Sequence, residues 1–417
     1  MLARFIFIFV IIAAIEFYFL QAVKTFVQDF SQNKKSIVLY TAYALIAVNM
    51  AMGLIAMVYP PPNWNNTLRF IMSCFFILAI CKLFGVSFLI IDDVIRLFRW
   101  IFSFFQSPPS EAVEVSHKIS RLKFMSQLAI TFTVIPAIGF LYGMVRGAYK
   151  FRVHNVKVPA PNLPEAFNGF KIVQLSDIHT GSFMDNSALN KAFDIVMQQN
   201  ADLILFTGDL VNNETKETFG FEDVYARLKA PHGVYSVLGN HDYGDYMSWD
   251  SPEAKKQNLE NLKQVHANAG WRLLMNEHVA LERDGQKIAL IGIENWGAKM
   301  NFPQYGRMDL AYKGAENYPY KILMSHDPSH WEKEVQPKYP NIDLTLSGHT
   351  HGMQLGIEIP GIKWSPAKWV YKQWAGLYKQ DNQFLYVNRG LGFLGYPGRL
   401  GIWPEITVLE LQRVPSA

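Results

Sequence analysis

Cysteine is almost missing from the 417 residues: Cys74 and Cys81 are the only two. On a helix their spacing puts them about 10 Å apart along the axis, too far for a disulfide. A disulfide-stapled fold and a structural thiolate zinc site are thereby excluded. Charge is scarce too, with 18% of residues charged against 50% hydrophobic. The formal net charge is only +4, and no basic stripe accompanies the polar motifs, so no nucleic-acid partner is expected.

The shortage of charge is concentrated at the N-terminus. Leu2–Val23, Ser36–Val58, Leu68–Ile91 and Phe124–Val145 are each about 20 residues long and predominantly apolar, enough to cross a bilayer as helices. The first run is too long for a removable signal peptide and lacks a small-residue cleavage site. Residues 92–106 mix Arg96 and Arg99 with bulky apolar side chains. They fit either an amphipathic helix on the membrane surface or a continuation of the third span. Lys24, Lys34, Lys35, Arg96, Arg99, Lys118, Arg121 and Lys123 lie in the first and third loops, and the second loop, YPPPNWNNT, has no Lys or Arg. That bias puts loops one and three in the cytoplasm, and both termini and the catalytic domain on the extracytoplasmic side. Glu16 and Lys82 fall at similar depths in the first and third spans. They either pair within the bundle or snorkel separately.

Composition changes after Arg152. A proline-rich stretch, VKVPAPNLPEAF, reads as a linker over 153–169, and residues 170–417 read as one α/β domain of layered sheets covered by helices. KIVQLSD, ADLILFTGD, GVYSVLGN, KIALIGIE, YKILMSH and IDLTLSGH have strand character, while Asn186–Gln199, Thr215–Leu228 and Pro252–Ala269 have helical composition.

Each of five strand-like runs stops on residues that ligate hard or borderline metals: Asp177 and His179, Asp209, Asn240 and His241, His326, and His349 and His351. One such block means little. Five in order indicate a two-metal hydrolytic centre, in which a single carboxylate bridges ions about 3.5–4 Å apart. Imidazole, amide and carboxylate ligands suit two divalent ions, Mn²⁺ by preference, with Zn²⁺ or Fe as alternatives. His330 is a weaker candidate than His326, which directly ends its strand. His232 and His278 are read as ordinary surface or capping residues.

The order D-x-H, GD, GNHD, H, GHTH resembles the calcineurin-like metallophosphoesterase superfamily over roughly Phe170–Leu411. VNRGLGFLGYPGRLGIWPEITVLEL resembles the C-terminus of its membrane-associated bacterial branch. The chain departs from that branch in reading GHTHGMQ where GHTHGGQ is common, which places Met353 where it narrows the pocket. The resemblance implies a layered β-sandwich flanked by helices and location in a bacterial inner membrane. It implies that Asp177, His179 and His351 hold one ion, that Asn240, His326 and His349 hold the other, and that Asp209 bridges them. It also implies that His241 faces the substrate phosphate, with Asp242 as its orienting partner, and that a metal-bound hydroxide attacks phosphorus.

Arg389 and Arg399, in glycine-rich loops, fit either substrate-phosphate binding or salt bridges. The segment GIKWSPAKWVYKQWAGLYK, dense in Trp, Tyr and Lys, fits a loop resting on lipid headgroups or a packed loop with exposed lysines. The expected function is a membrane-anchored metal-dependent phosphohydrolase acting on a phospholipid or lipid-linked phosphate. A nuclease or cyclic-nucleotide phosphodiesterase, and a non-catalytic membrane sensor or scaffold, are the alternatives.

Overall fold

A computed structural model describes residues 2–59, 65–105 and 121–415, with side chains from Ile6 onward. Most of the second interhelical loop, Lys118 and Gln106 lie outside the described residues. The chain divides into two compact units, Met1–Tyr142 and Gly143–Ala417.

The first unit is helical: α1 (Leu2–Phe26), α2 (Gln32–Val58), α3 (Asn66–Ser103) and α4 (Arg121–Val145). All four are long and apolar enough to cross a membrane. Asn65 caps α3 by accepting a hydrogen bond from the Leu68 amide at 2.9 Å. At 38 residues α3 is about 57 Å long, nearly twice the hydrocarbon thickness. Residues 92–103 therefore continue the third helix rather than forming a separate one. Asp92 and Asp93 favour this, because Arg96 pairs with both one helical turn away.

Inside the bundle, Gly85 lets α3 approach α4 closely; a Cβ there would lie 2.4 Å from the Ala129 carbonyl. Glu16 and Lys82 form an ion pair, with Lys82 Nζ 2.5 Å from Glu16 Oε2.

The second unit holds fourteen strands among the described residues: β1 (Arg152–Ala160), β2 (Lys171–Leu175), β3 (Leu203–Phe206), β4 (Val234–Ser236), β5 (Arg272–Leu273), β6 (Glu277–Arg283), β7 (Gln286–Gly292), β8 (Lys321–Met324), β9 (Leu344–Ser347), β10 (Ile357–Ile359), β11 (Ile362–Trp364), β12 (Gly376–Gln380), β13 (Gln383–Val387) and β14 (Glu405–Arg413). One six-stranded sheet has the order β1-β14-β2-β3-β4-β5, the other β12-β13-β9-β8-β7-β6, and β10-β11 is a separate hairpin. Strands β2 to β5 are parallel, as are β7, β8, β9 and β13. Apart from the two-residue β5 they are mostly buried, and they read as largely apolar runs.

The two sheets pack face to face. Ile172, Leu203 and Leu205 of the first meet Ile322, Met324, Leu344 and Leu346 of the second. Helices Ser187–Met197 and Pro252–Asn268 cover the outside of the first sheet, where Leu189, Phe193, Val196 and Leu262 pack on Val173, Ile204 and Phe206. Met308, Ala311, Trp331 and Val335 cover the outside of the second. The result is an α/β sandwich flanked by helical segments.

Two local differences from the sequence reading have clear causes. The proline-rich segment is not a free linker: Arg152–Ala160 is strand β1, paired along its whole length with β14. Pro159 is compatible with this because β1 is an edge strand, where one missing N–H costs nothing. The helical stretch at Thr215–Leu228 is broken by Gly220, whose φ of +84° stops a short 3₁₀ turn at Thr215–Thr218 before a second turn at Glu222–Tyr225.

Candidate metal centre

Parallel strands deliver their C-terminal ends to one edge, and the loops leaving β2, β3, β4, β8 and β9 converge there. Five of the residues they carry have left-handed backbones: Asp177 (φ 52°), His179 (49°), Asp209 (60°), His349 (71°) and His351 (49°). Such conformations are costly for residues with a Cβ and collect where function needs sharp chain reversals. The glycines within the motifs let the loops nest. A Cβ on Gly208 would lie 2.5 Å from the Gly239 amide nitrogen, and one on Gly239 would lie 2.2 Å from Asp209 Oδ1.

Two clusters result. Asp177, His179 and His351 bring one ligand atom each into a common space, and so do Asp209, His326 and His349. His351 Nε2 is 3.1 Å from Asp177 Oδ1 and 3.0 Å from His179 Nε2. Asp209 Oδ2 is 3.1 Å from His326 Nε2 and 3.5 Å from His179 Nε2, so this carboxylate faces both clusters. Asn240 Oδ1 lies 2.8 Å from His349 Nδ1, while the Asn240 amide donates to the Tyr246 hydroxyl at 2.8 Å. The oxygen of Asn240 is thereby turned toward the second cluster. The structure thus brings together all seven expected ligands.

These residues fit a pair of divalent ions. His326 Nε2 is fully buried and makes no hydrogen bond, although it points at a carboxylate; an imidazole nitrogen in that position wants a cation. Its Nδ1 donates to the Thr207 carbonyl at 2.7 Å, so Nε2 is the nitrogen that would offer a lone pair to a metal once its proton is displaced. Burial pushes the His179 imidazole down to about 3 despite the Asp209 carboxylate beside it, and burial also lowers His349. Both imidazoles are therefore neutral at physiological pH, the form that can ligate a metal. His326 goes the other way. Burial lowers it, but the Asp209 carboxylate outweighs burial and raises it to about 10, so a metal would displace a proton there.

His241 lines the same pocket, of about 170 Å³. Its Nδ1 donates to the Asn212 carbonyl at 2.7 Å, which leaves Nε2 free to meet a substrate. Asp242 does not orient it. The Asp242 carboxylate is buried and accepts from the backbone amides of Gly239, Asp209, Leu210 and Val211 at 2.8–3.2 Å. It holds the Asp209 loop in shape, and the orienting group for His241 is the Asn212 carbonyl.

The two arginines are corrected as well. Arg389 is buried in ion pairs with Glu405 and Glu358, both at 2.5 Å. Arg399 is fully buried, donates to the Gly392 carbonyl and lies 3.1 Å from His351 Nδ1. Neither side chain is exposed to a substrate. His330 bonds Ser325 Oγ and stands outside both clusters. His232 packs on Phe170, and His278 on the Ala311 carbonyl.

The sequence reading missed Tyr371 and Asp327. Tyr371 OH is 2.8 Å from His349 Nε2, and Asp327 Oδ2 is 3.6 Å from the same nitrogen. Asp327 directly follows His326, a proximity that could have marked it. No pattern marked Tyr371, because it reaches the site from a distant loop. Met353 does line the pocket, together with Met300, Phe302 and Leu394.

The sandwich, with a paired-cluster site at the ends of its strands, defines a two-metal hydrolase class of architecture. Comparison with known proteins narrows this. Residues 3–148 match a family described as "Probable Calcineurin-like phosphoesterase, transmembrane domain", and residues 170–353 match "Calcineurin-like phosphoesterase". A Bos taurus "Transmembrane protein with metallophosphoesterase domain" is 30% identical over 352 residues, covering 83% of this chain and 72% of that protein. A Danio rerio protein of the same description is 31% identical over 289 residues, and the match spans 67% of this chain and 62% of that one's length. "Phosphodiesterase YaeI" of Escherichia coli is 28% identical over 295 residues, 70% of this chain and 99% of that one. The chain belongs to the calcineurin-like metallophosphoesterase family, as a member with four membrane helices.

Proposed function

We propose that this protein hydrolyses a phosphoester or pyrophosphate bond in a phospholipid or lipid-linked phosphate, using two divalent ions held between Asp177, His179, His351 and Asn240, His326, His349, with Asp209 shared. Ions bound there would activate water and neutralise phosphate oxygens. Mn²⁺ is the preferred metal for this oxygen- and nitrogen-only set, with Zn²⁺ or Fe as alternatives. His241 presents Nε2 to the phosphate or to the leaving oxygen. A proton held there serves the leaving group, and the Asn212 carbonyl keeps the ring in that orientation. Phe302 packs edge-on against His349, excluding water from one flank of the second cluster.

The observation that carries the lipid assignment is the apolar rim of this pocket. Met300, 70% exposed, and Met353 line it. The adjoining β10–β11 hairpin and turn expose Ile357, Ile359, Ile362 and Trp369, the last at 72%. Lys368 and Lys372 flank Trp369, as suits contact with anionic headgroups. In a chain that already carries four membrane helices, an apolar and basic rim matches a bilayer substrate better than a soluble nucleotide. The name of the YaeI relative supports diester cleavage in particular. The excess of Lys and Arg in the first and third loops supports an extracytoplasmic catalytic domain, which protease accessibility in intact and opened cells tests.

The test is a screen of the purified protein with Mn²⁺ against phospholipid vesicles, lipid-linked phosphates, single-stranded DNA, cyclic nucleotides and a soluble chromogenic diester. We expect turnover of bilayer substrates that disappears in Asp209→Asn. The combined Ile359→Ser, Ile362→Ser and Trp369→Ser variant should lose bilayer turnover while keeping the chromogenic reaction. Equal losses on both would count against the lipid assignment. Preferential cleavage of DNA or cyclic nucleotides would replace it with the nuclease or phosphodiesterase reading, and no turnover of any substrate would leave the scaffold reading.

A further inference from the structure

Three polar side chains from three helices meet inside the apolar bundle, and the hydrolytic site uses none of them. Glu16 of α1 accepts from Lys82 of α3 at 2.5 Å and from Asn49 of α2 at 2.6 Å. Glu16 is 1% exposed, Asn49 4% and Lys82 6%. Ionisable groups inside membrane spans are costly, and where they persist they mark sites of function.

Beside this cluster lies a cavity of about 300 Å³. Phe19 of α1, Ala42 and Leu45 of α2 and Ile130 of α4 form its walls, and Glu16 and Lys82 supply its polar end. Ligand pockets have this character: mostly apolar lining, a few convergent polar groups, and a volume from ~300 Å³ upward. The Lys82 ammonium has three N–H donors. Among the described residues Glu16 is its only hydrogen-bond partner, so donors remain for a ligand.

Charge balance selects the ligand. Glu16 and Lys82 already neutralise each other, so a carboxylate, phosphate or ammonium entering the cavity would bury a charge without a partner. An uncharged hydroxyl or carbonyl oxygen accepts from Lys82 and adds no charge. The walls require an apolar chain, and a volume at the low end of the ligand-pocket range suits one chain better than a whole two-chain lipid.

We propose that the cavity among α1, α2 and α4 binds a single-chain apolar molecule from the bilayer whose end carries an uncharged oxygen, a long-chain alcohol being the simplest example. The chain lies along Phe19, Leu45 and Ile130, and the oxygen accepts from Lys82. This site is independent of the metal centre and of the substrate reading above.

The experiment uses the full chain in phosphatidylcholine nanodiscs with a diazirine-bearing hexadecanol, photolysed and mapped by mass spectrometry. Label should concentrate on the buried Phe19 and Leu20 and the half-buried Ile130 rather than on the exposed Ile135 and Ile138. Unlabelled hexadecanol should compete at least about tenfold better than hexadecane, the discrimination expected from one hydrogen bond to a charged donor. Palmitate, which is ionised, should compete as poorly as hexadecane. Ala42→Phe, which fills the cavity, should reduce cavity labelling several-fold. Even labelling of the bundle exterior, equal competition by hexadecane or palmitate, or undiminished cavity labelling in a folded Ala42→Phe protein would each overturn the proposal. The competition arms need no variant, so they decide it even if Ala42→Phe fails to fold.

Discussion

The Tyr371 hydroxyl lies 2.8 Å from His349 Nε2, on the side of the ring away from Asn240. His349 Nδ1 faces the second cluster, so its proton belongs on Nε2, where the tyrosine oxygen accepts it. The Asp327 carboxylate stands behind both groups, and burial together with that carboxylate raises the Tyr371 hydroxyl well above its ordinary value. The hydroxyl therefore stays protonated. Partners of this kind fix which nitrogen of a ligating histidine is free for metal.

Tyr371→Phe removes that acceptor while leaving every ligand in place. Affinity for the Mn²⁺ ion expected at the His349 cluster should fall by roughly 10–100-fold, the cost of losing such a partner. Calorimetric titration reads this directly, and circular dichroism checks that the fold is intact. Unchanged affinity for both ions would show that Tyr371 plays no part in positioning His349.

Asp242 provides a contrast, because its carboxylate serves backbone rather than substrate. Asp242→Asn replaces one acceptor oxygen with a donor that faces the amides of Gly239, Asp209, Leu210 and Val211. Each buried amide left unpaired costs about 1–3 kcal/mol. The melting temperature should drop by about 5–10 °C, since about 1 kcal/mol corresponds to roughly 2–4 °C in a domain of this size. His241→Asn should leave it nearly unchanged. A stable Asp242→Asn protein would remove the structural role assigned to this carboxylate.

His266 supplies the pH dependence of stability. It is fully buried between Phe206 and Trp271, with Nδ1 2.9 Å from Ser236 Oγ and Nε2 unpaired. Burial pushes its pKa down to about 4. The native state holds it neutral, whereas the unfolded chain protonates it near 6.5. Its contribution is therefore complete above pH 6.5 and is lost as pH falls through about 4, by up to about 3 kcal/mol. His266→Gln should flatten the unfolding curve between pH 6.5 and 4 by that amount relative to wild type. Parallel curves for the two proteins would rule this out.

The candidate metal ligands were legible because their chemistry sits in short blocks, each ending an apolar run: LSDIH, FTGDL, LGNHD, MSHDP and SGHTH. The parallel strands carrying them are buried on both faces, so local hydrophobicity alone marks them. What escaped was set by long-range pairing. Strand β1 is held by β14, more than 240 residues later in the chain, and Pro159 disguised it as a linker. Arg389 sits in a glycine-rich loop that looks exposed in sequence. Only the fold brings Glu405 and Glu358 to it. The Glu16–Lys82 pairing could be raised from equal helical depth, but choosing it over separate snorkelling required the fold, which packs α1 against α3 and buries both side chains.

That ion pair yields the last prediction. Lys82→Met leaves the Glu16 carboxylate buried with only Asn49 as a hydrogen-bond partner, and Glu16→Gln leaves the ammonium without a counter-charge. Breaking a buried pair from one side costs about 3–5 kcal/mol, whereas replacing both partners by uncharged side chains of similar volume is often neutral. Each single variant should therefore unfold at markedly lower temperature in detergent, and the double variant should recover most of the loss. Additive losses would mean that the two charges do not stabilise each other, and the polar end assigned to the bundle cavity would have to be redrawn.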